Sequence, residues 1–148
     1  MLPSRHLSRS SLRGAHRLSL GLSLALLAAS QWPVSVLAAD TTPAAQLQRW
    51  SAQAGSPGDA LRGQTFFTSR HGAEWSCASC HGNPPAAQGK HANTGKPIPP
   101  LAPAFNPKAL TDSAKVDKWF RRNCKDVVGR ECSAGEKADV LAYLNALK

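Results

Sequence analysis

The run Cys77-Ala78-Ser79-Cys80-His81 decides how this chain is interpreted. Its C-x-x-C-H spacing is typical of covalent haem attachment, because each thiol can add to one haem vinyl group as a thioether. The imidazole of His81 is then close enough to the iron to become its proximal ligand. The run therefore predicts one haem c, bound through Cys77, Cys80 and His81.

Two other kinds of site can contain a C-x-x-C pair. One is half of a structural zinc site, in which the second pair is also closely spaced. The remaining cysteines, Cys124 and Cys132, have seven residues between them, which does not fit that spacing. The other is a thioredoxin-like dithiol, which needs a βαβ pattern that the sequence does not show. Both sites stay open as alternatives to haem attachment.

The beginning of the chain has the pattern of a secretory signal peptide. A basic stretch with four arginines precedes a leucine-rich apolar stretch over residues 18–30, and small residues follow. This order predicts a signal peptide over residues 1–39, cleaved after Ala38 or Ala39. The apolar stretch is too short for a membrane span, although an uncleaved anchor is the alternative. We therefore expect a periplasmic protein with one small domain, residues 40–148, and no membrane span.

The formal net charge of +9 overstates the basicity of this domain, because the signal peptide contains four of the arginines. Two haem propionates would lower the charge further. Nucleic-acid binding is therefore not expected. The remaining excess of lysine and arginine predicts a modest basic face for an acidic redox partner.

Cys124 and Cys132 are not needed for haem attachment. In an exported chain they are expected to oxidise to a disulfide across the short loop Lys125–Glu131. Such a bridge contributes about 2–3 kcal/mol by restricting the unfolded chain. Two separate buried thiols are the alternative.

Apolar periodicity and capping residues predict an all-α domain with four helices and no strand. The predicted spans are Ala44–Ala54 after Thr42-Pro43, about Gly58–Ser69 after Ser56-Pro57, Asp112 to about Arg122 after Thr111, and a last helix after a Ser133–Glu136 capping box. The haem motif is predicted to lie in a loop, and the proline-rich residues 82–107 to form an irregular wrap. The side chains predicted to face inward are Leu61, Phe66, Phe67, Val116, Trp119, Phe120, Val140, Leu141, Leu144 and Leu147.

The distal side of the iron has no methionine to bind it, since Met1 is the only methionine. His71 lies too close to the attachment run to reach that side easily. A lysine can bind only when deprotonated, which costs free energy near neutral pH. The remaining candidates are His91, Lys96, Lys125, Asn93, Asn106 and Asn123.

Among these candidates we single out Asn123, which follows the third predicted helix and adjoins Cys124. On spacing alone, helix termination explains Asn123 better, because asparagine is common at helix ends. A solvated loop histidine is likewise the simpler interpretation of His91.

Several stretches of the mature chain match the pattern of a known family. They are Thr42-Pro43-Ala44, Cys77–Gly82, Thr94-Gly95-Lys96, Pro100–Pro103, Thr111–Ala114, Arg122-Asn123-Cys124 through Gly129–Cys132, and Gly135–Asp139. On these stretches the chain resembles a small family of oxygen-binding c-type cytochromes, the sphaeroides haem protein (SHP) type. The resemblance extends from about Thr42 to the C-terminus, and the Arg-Asn-Cys…Gly-Arg-x-Cys segment is its most specific part.

The resemblance implies a class I cytochrome c fold, iron ligation by His81 and Asn123 in the ferric state, and a Cys124–Cys132 disulfide. It also implies that Asn123 leaves the iron on reduction, after which O₂, CO or NO binds, and that a dihaem cytochrome c donates the electron. The chemistry agrees, because a neutral amide is a weak ligand better suited to ferric than to ferrous iron.

Two other functions remain open. One is a plain electron-transfer cytochrome with a permanent sixth ligand from His91 or a lysine. The other is an enzyme that turns over O₂ or NO, although we favour a gas-binding electron acceptor over a dedicated enzyme. In each case Pro100 or a neighbour is expected to accept a hydrogen bond from Nδ1 of His81.

Overall fold

The computed structural model describes residues 41–148 except Ala73, so the predicted signal peptide lies outside the described residues. The elements are α1 (Pro43–Ala54), α2 (Ala60–Thr68), α3 (Cys77–His81), β1 (Gly89–Lys90), β2 (Pro97–Ile98), α4 (Ser113–Val128) and α5 (Ala134–Ala146). Helices dominate this part of the chain, as the sequence predicts. Among the helices described, none has the length and apolar character needed to cross a membrane.

The first and last helices begin where capping residues predict them. The Thr42 hydroxyl accepts a hydrogen bond from the amide of Ala45, and Pro43 stands in the first turn of α1. Ser133 and Glu136 form the predicted capping box at the start of α5. These short-range side-chain contacts satisfy backbone amides that a helix leaves free at its N-terminus.

The starts predicted for α2 and α4 are wrong by one to three residues. Asp59 rather than Ser56 caps α2, and Asp112 rather than Thr111 caps α4. In both cases a carboxylate accepts a hydrogen bond from a backbone amide in the first turn, where the helix dipole favours negative charge. The predicted end of α4 is also wrong, because the helix continues to Val128.

The haem motif and the loop after it are more regular than predicted. Cys77–His81 is a short helix, not a loop. Gly89 pairs with Ile98 and Lys90 with Pro97 in a two-stranded antiparallel pair, so the prediction of no strand is wrong here. Gly95, with φ of 66°, donates to the carbonyl of His91 and closes the turn between the strands.

The core lies between α5 and the first two helices, which pack against it. Phe67, Val140, Tyr143 and Leu144 form one buried cluster, and Trp50, Ala138 and Leu141 form a second. Five of the residues predicted to face inward do so only in part or not at all: Phe66, Phe120 and Leu147 are partly buried, Trp119 is 45% exposed and Leu61 is 75% exposed.

Side chains of α1 determine where α4 lies. The buried Gln46 donates from Nε2 to Ser113 Oγ at 2.7 Å, and Arg49 forms an ion pair with Asp117. One turn further along α4, Phe120 packs edge-on against Trp50, with ring centroids 6.3 Å apart. α1 thereby fixes α4 beside the core without the close backbone packing that joins α2 to α5.

Candidate functional site

Helix α3 brings the three residues of the attachment motif together. Ser76 caps the helix: its hydroxyl accepts from the amide of Ser79 at 3.2 Å, and its own amide donates to the Ser79 hydroxyl at 3.0 Å. Within the helix, Cys77, Cys80 and His81 follow each other at i, i+3 and i+4, so their side chains share one face. Ser79 stands where a capping box usually has glutamate or glutamine, so the N-cap Ser76 is the local signal for this helix that the loop assignment overlooked.

Burial controls the protonation of two side chains on this helix face, Cys77 and His81. It raises the pKa of the Cys77 thiol to about 11 and lowers the pKa of His81. At neutral pH the thiol is therefore protonated and the imidazole neutral, which is the form that binds metal ions. Cys77 and Cys80 are not bonded to each other.

Apolar side chains surround the motif. The ring of Phe67, the most deeply buried aromatic of the core, lies 6.2 Å from that of His81. The buried cluster that contains Phe67 is surrounded by partly buried side chains, namely Cys77, Ala78, Leu101, Leu110 and Phe120. An apolar wall with a few polar groups is typical of cofactor pockets.

The strand pair contributes backbone to the same region. A Cβ at Gly89 would overlap the carbonyl of Cys80, so only glycine fits this position. The amide of Ala92 donates to the sulfur of Cys80 at 3.3 Å. No local pattern in the sequence indicates the approach of Gly89 to Cys80, because the contact depends on the path of the whole loop.

The hydrogen bond predicted between His81 and Pro100 is not formed. Nδ1 of His81 is buried and has no partner among the described residues. The Pro100 carbonyl instead accepts from Nδ2 of Asn106 at 2.9 Å, while Oδ1 of Asn106 accepts from the amide of Lys108 at 3.2 Å. Both polar atoms of the Asn106 side chain therefore form hydrogen bonds within its own turn, so this amide is a poorer distal ligand than one without such partners.

Asn123 lies in the interior of α4, not at its end. Because the helix continues to Val128, helix termination does not explain this residue. Asn123 follows Phe120 by three residues and Val116 by seven, so it shares the side of α4 that faces the core. It is partly buried, and its amide forms no hydrogen bond with the described residues.

The other distal candidates are less well placed. Nε2 of His71 lies 2.7 Å from the carbonyl of Phe66, and its ring packs on the ring of that residue. His91 is exposed, and its Nδ1 accepts from the amide of Thr94 at 3.3 Å within the turn between the strands. Three further candidates are exposed: Asn93, Lys96 and Lys125.

The predicted disulfide between Cys124 and Cys132 is present. It joins the last turns of α4 to the segment before α5. The first part of the bridged segment, predicted as a loop, is helical up to Val128. Because both sulfurs are used in the bridge, they do not complete a zinc site with Cys77 and Cys80.

A bidentate ion pair also holds this segment. Arg130 donates to the two carboxylate oxygens of Glu136 at 2.8 and 2.6 Å. The Arg130 guanidinium is the main reason why the pKa of Glu136 is lowered to about 2, and the amide of Ser133 also contributes. The C-terminal end of α4 is therefore fixed to the start of α5 by a covalent and an ionic contact.

The described residues fit a covalently attached haem. Two unlinked thiols and a neutral, partly buried imidazole share one helix face. Phe67, Leu101 and Phe120 provide apolar surface beside them. The site thus has the attachment sulfurs, a nitrogen donor and the apolar lining that a haem c needs.

Comparisons with known proteins agree with this fit. A family model described as a domain of unknown function (DUF1924) matches residues 53–144. The cytochrome c-type protein SHP of Cereibacter sphaeroides is 47% identical over 114 residues, covering 74% of this chain and 88% of the relative.

Two solved structures have the same fold. Oxidized SHP, described as an oxygen-binding cytochrome c, matches with a TM-score of 0.69 at 47% identity and covers 73% of this chain and 99% of that one. The solution structure of cytochrome c'' from Methylophilus methylotrophus, described as giving insights into haem-ligand detachment, matches with a TM-score of 0.60 at 37% identity, covering 71% and 93%. The predicted cytochrome c-like fold and its single covalent haem c are thereby confirmed. The chain belongs to the SHP family of monohaem c-type cytochromes.

Proposed function

We propose that this cytochrome accepts one electron and then binds a small diatomic gas, O₂, NO or CO, at the ferrous haem after Asn123 has left the iron. Cys77 and Cys80 hold the haem through thioethers, His81 is the permanent proximal ligand, and Asn123 is the distal ligand of the ferric state. The haem supplies an iron that changes between two oxidation states and can bind a gas.

One observation supports this proposal above the others: the amide of Asn123 lies on the core-facing side of α4 and has no hydrogen-bond partner among the described residues. The backbone of the helix is satisfied by its own hydrogen bonds, so the side chain can move without unfolding α4. A rotation about its side-chain bonds is a small, rapid motion. Release of the amide therefore needs no change of fold.

The chemistry of the amide supports release on reduction. Its oxygen is neutral and hard, which suits ferric iron, whereas ferrous iron prefers softer or π-accepting ligands. An imidazole or a thioether binds ferrous iron more strongly than a neutral amide oxygen does. Among related proteins, SHP is described as oxygen binding and cytochrome c'' is described in connection with haem-ligand detachment.

The proposal also states where the protein acts and which kind of protein reduces it. Residues 1–39 would be removed as a signal peptide, and residues 40–148 would act in the periplasm. The family resemblance points to a dihaem cytochrome c as the electron donor.

Substitution of the proposed distal ligand tests the function. We expect the ferric wild-type protein to be six-coordinate and low-spin, and the dithionite-reduced protein to be high-spin with a spectrum that shifts on addition of CO. Asn123→Ala should make the ferric form high-spin or water-ligated while its ferrous spectrum changes little. Absorption and resonance Raman spectra report both states.

His91→Ala is the matched control, because it removes another distal candidate without touching α4. Both oxidation states of this variant should keep the wild-type spectra. If His91→Ala changes the ferric spectrum and Asn123→Ala does not, the protein is a plain electron carrier. Steady consumption of O₂ or NO by the reduced protein would instead indicate an enzyme.

A further inference from the structure

The exposed side of α4 has a concentration of positive charge. Lys115, Lys118, Arg122 and Lys125 are all exposed, and their spacing of three or four residues places them on one side of the helix. Asp126 is the one exposed carboxylate that adjoins them within α4. We call these four cations the α4 basic stripe.

The basic stripe differs from the arginines that stabilise the fold. Three arginines outside α4 each form an ion pair with a carboxylate, namely Arg49 with Asp117, Arg62 with Asp139 and Arg130 with Glu136. None of the four stripe residues forms an ion pair within the described part of the chain. Like charges at this spacing destabilise a helix by about 0.2–0.5 kcal/mol per pair. The repulsion within the stripe thus weakens α4 slightly, and no ion pair among the described residues offsets it.

An exposed aromatic ring lies beside the stripe. Trp119 is 45% exposed, and its ring centroid lies 5.7 Å from Nζ of Lys118 and 5.4 Å from Cζ of Arg122. Tryptophan and arginine are enriched at the centres of protein interfaces. Trp119 precedes Asn123 by one helical turn, so the stripe and the proposed distal ligand belong to the same element.

We propose that the α4 basic stripe, with Trp119 at its edge, is the docking surface for the carboxylate-rich face of a protein that donates one electron. The donor loses one electron and the cytochrome gains it. This inference rests on the proposed function. It adds the chemistry of the electron donor's surface and the place on the cytochrome where the donor binds.

A protein fits this surface better than a lipid membrane does. A helix that lies on a membrane needs a broad apolar face for the lipid. The apolar residues Val116 and Val127 of α4 are buried in the fold, which leaves Trp119 as the large exposed apolar side chain of this helix. Complementary charge instead steers protein partners together and raises their association rate.

Reduction of the ferric holoprotein by reduced flavodoxin, an acidic one-electron donor protein, tests the proposal. The test variant is Lys118→Gln/Arg122→Gln/Lys125→Gln. Stopped-flow rates at low ionic strength should fall at least about tenfold in this variant. High salt should slow the wild-type reaction and remove most of the difference.

The matched control is Arg70→Gln/Lys108→Gln/Lys148→Gln, which removes the same charge from exposed residues outside α4. Its rate should stay within about twofold of the wild-type rate, because position and not net charge decides the steering. Equal losses in the two variants, or no loss in either, would overturn the proposal. The proposal would also be overturned if the test variant kept the wild-type reduction rate with flavodoxin but, unlike the control variant, no longer bound vesicles of phosphatidylglycerol.

A binding measurement separates this inference from the proposed function. Oxidised flavodoxin should shift the NMR signal of the Trp119 indole N–H in the wild-type protein and in Asn123→Ala, but not in the test variant. If Asn123→Ala keeps its ferric spectrum while this shift persists, the gas-binding proposal fails and the docking surface stands. Absence of the shift in the wild-type protein overturns the docking surface alone.

Discussion

Gly63 lies where α2 and α5 are closest. A Cβ at this position would overlap the carbonyl of Asp139 and press against Tyr143. We therefore expect Gly63→Ala to separate the two helices and to destabilise the holoprotein by about 1–3 kcal/mol, the usual cost of overpacking. The denaturant midpoint of the ferric protein measures this change.

Gly135 provides the opposite case in the first turn of α5. A Cβ there would meet only the hydroxyl of Ser133 at 3.9 Å, an ordinary contact. Because alanine is the better helix former, Gly135→Ala should be neutral or stabilising by up to about 1 kcal/mol. A midpoint that falls as far for Gly135→Ala as for Gly63→Ala would show that close packing is not the cause.

At the scale of elements, Glu136 connects the start of α5 to the bridged segment. Its pKa is lowered from 4.5 to about 2, chiefly by Arg130, so its contribution to stability is complete above pH 4.5 and is lost as the pH falls towards 2. Glu136→Gln removes the ion pair with Arg130 but keeps a side-chain oxygen that can accept from the amide of Ser133, so it should destabilise the protein by about 0.5–1 kcal/mol at pH 7. The difference from wild type should shrink steadily in denaturation curves between pH 5 and pH 2.

Glu131→Gln is the control for this experiment, because it removes a neighbouring exposed carboxylate that has no part in the capping box. Its effect at pH 7 should be small. A loss for Glu136→Gln that stays constant down to low pH would contradict the role of the ionised carboxylate.

The disulfide acts on α4 as an element. Cys124 directly follows Asn123, and the bridge to Cys132 fixes the C-terminal turns of the helix. Cys124→Ser/Cys132→Ser should lower the free energy of unfolding by about 2–3 kcal/mol. With these turns less restrained, the ferric low-spin fraction should fall while the ferrous spectrum stays unchanged. A ferric spectrum identical to wild type would show that α4 positions Asn123 without the bridge.

At the scale of the whole molecule, haem attachment and export are checked together. The protein purified from the periplasm should have the mass of a chain beginning at residue 39 or 40 plus one haem. The haem should remain bound after denaturation and acid–organic extraction, since thioether bonds survive both. A haem that extracts freely, or a chain that retains residues 1–39, would contradict covalent attachment or cleavage.

Much of this molecule follows from short stretches of sequence. The spacing of Cys77, Cys80 and His81 predicts the cofactor, because thioether attachment and proximal ligation involve adjacent residues. The starts of α1 and α5 were predicted because capping depends on contacts three residues apart. The Cys124–Cys132 bridge is predicted from the expected export of the chain and from the short separation of the two cysteines along it.

The tertiary structure decided the features that depend on distant residues. The capping and length of α4 determine that Asn123 lies inside a helix, and α1 determines where that helix lies through Gln46, Arg49 and Trp50. The approach of Gly89 to Cys80 and the use of the Pro100 carbonyl by Asn106 were likewise not predictable from local pattern. Each of these contacts joins residues whose proximity is set by the packing of several elements, and local propensity contains no information about that packing.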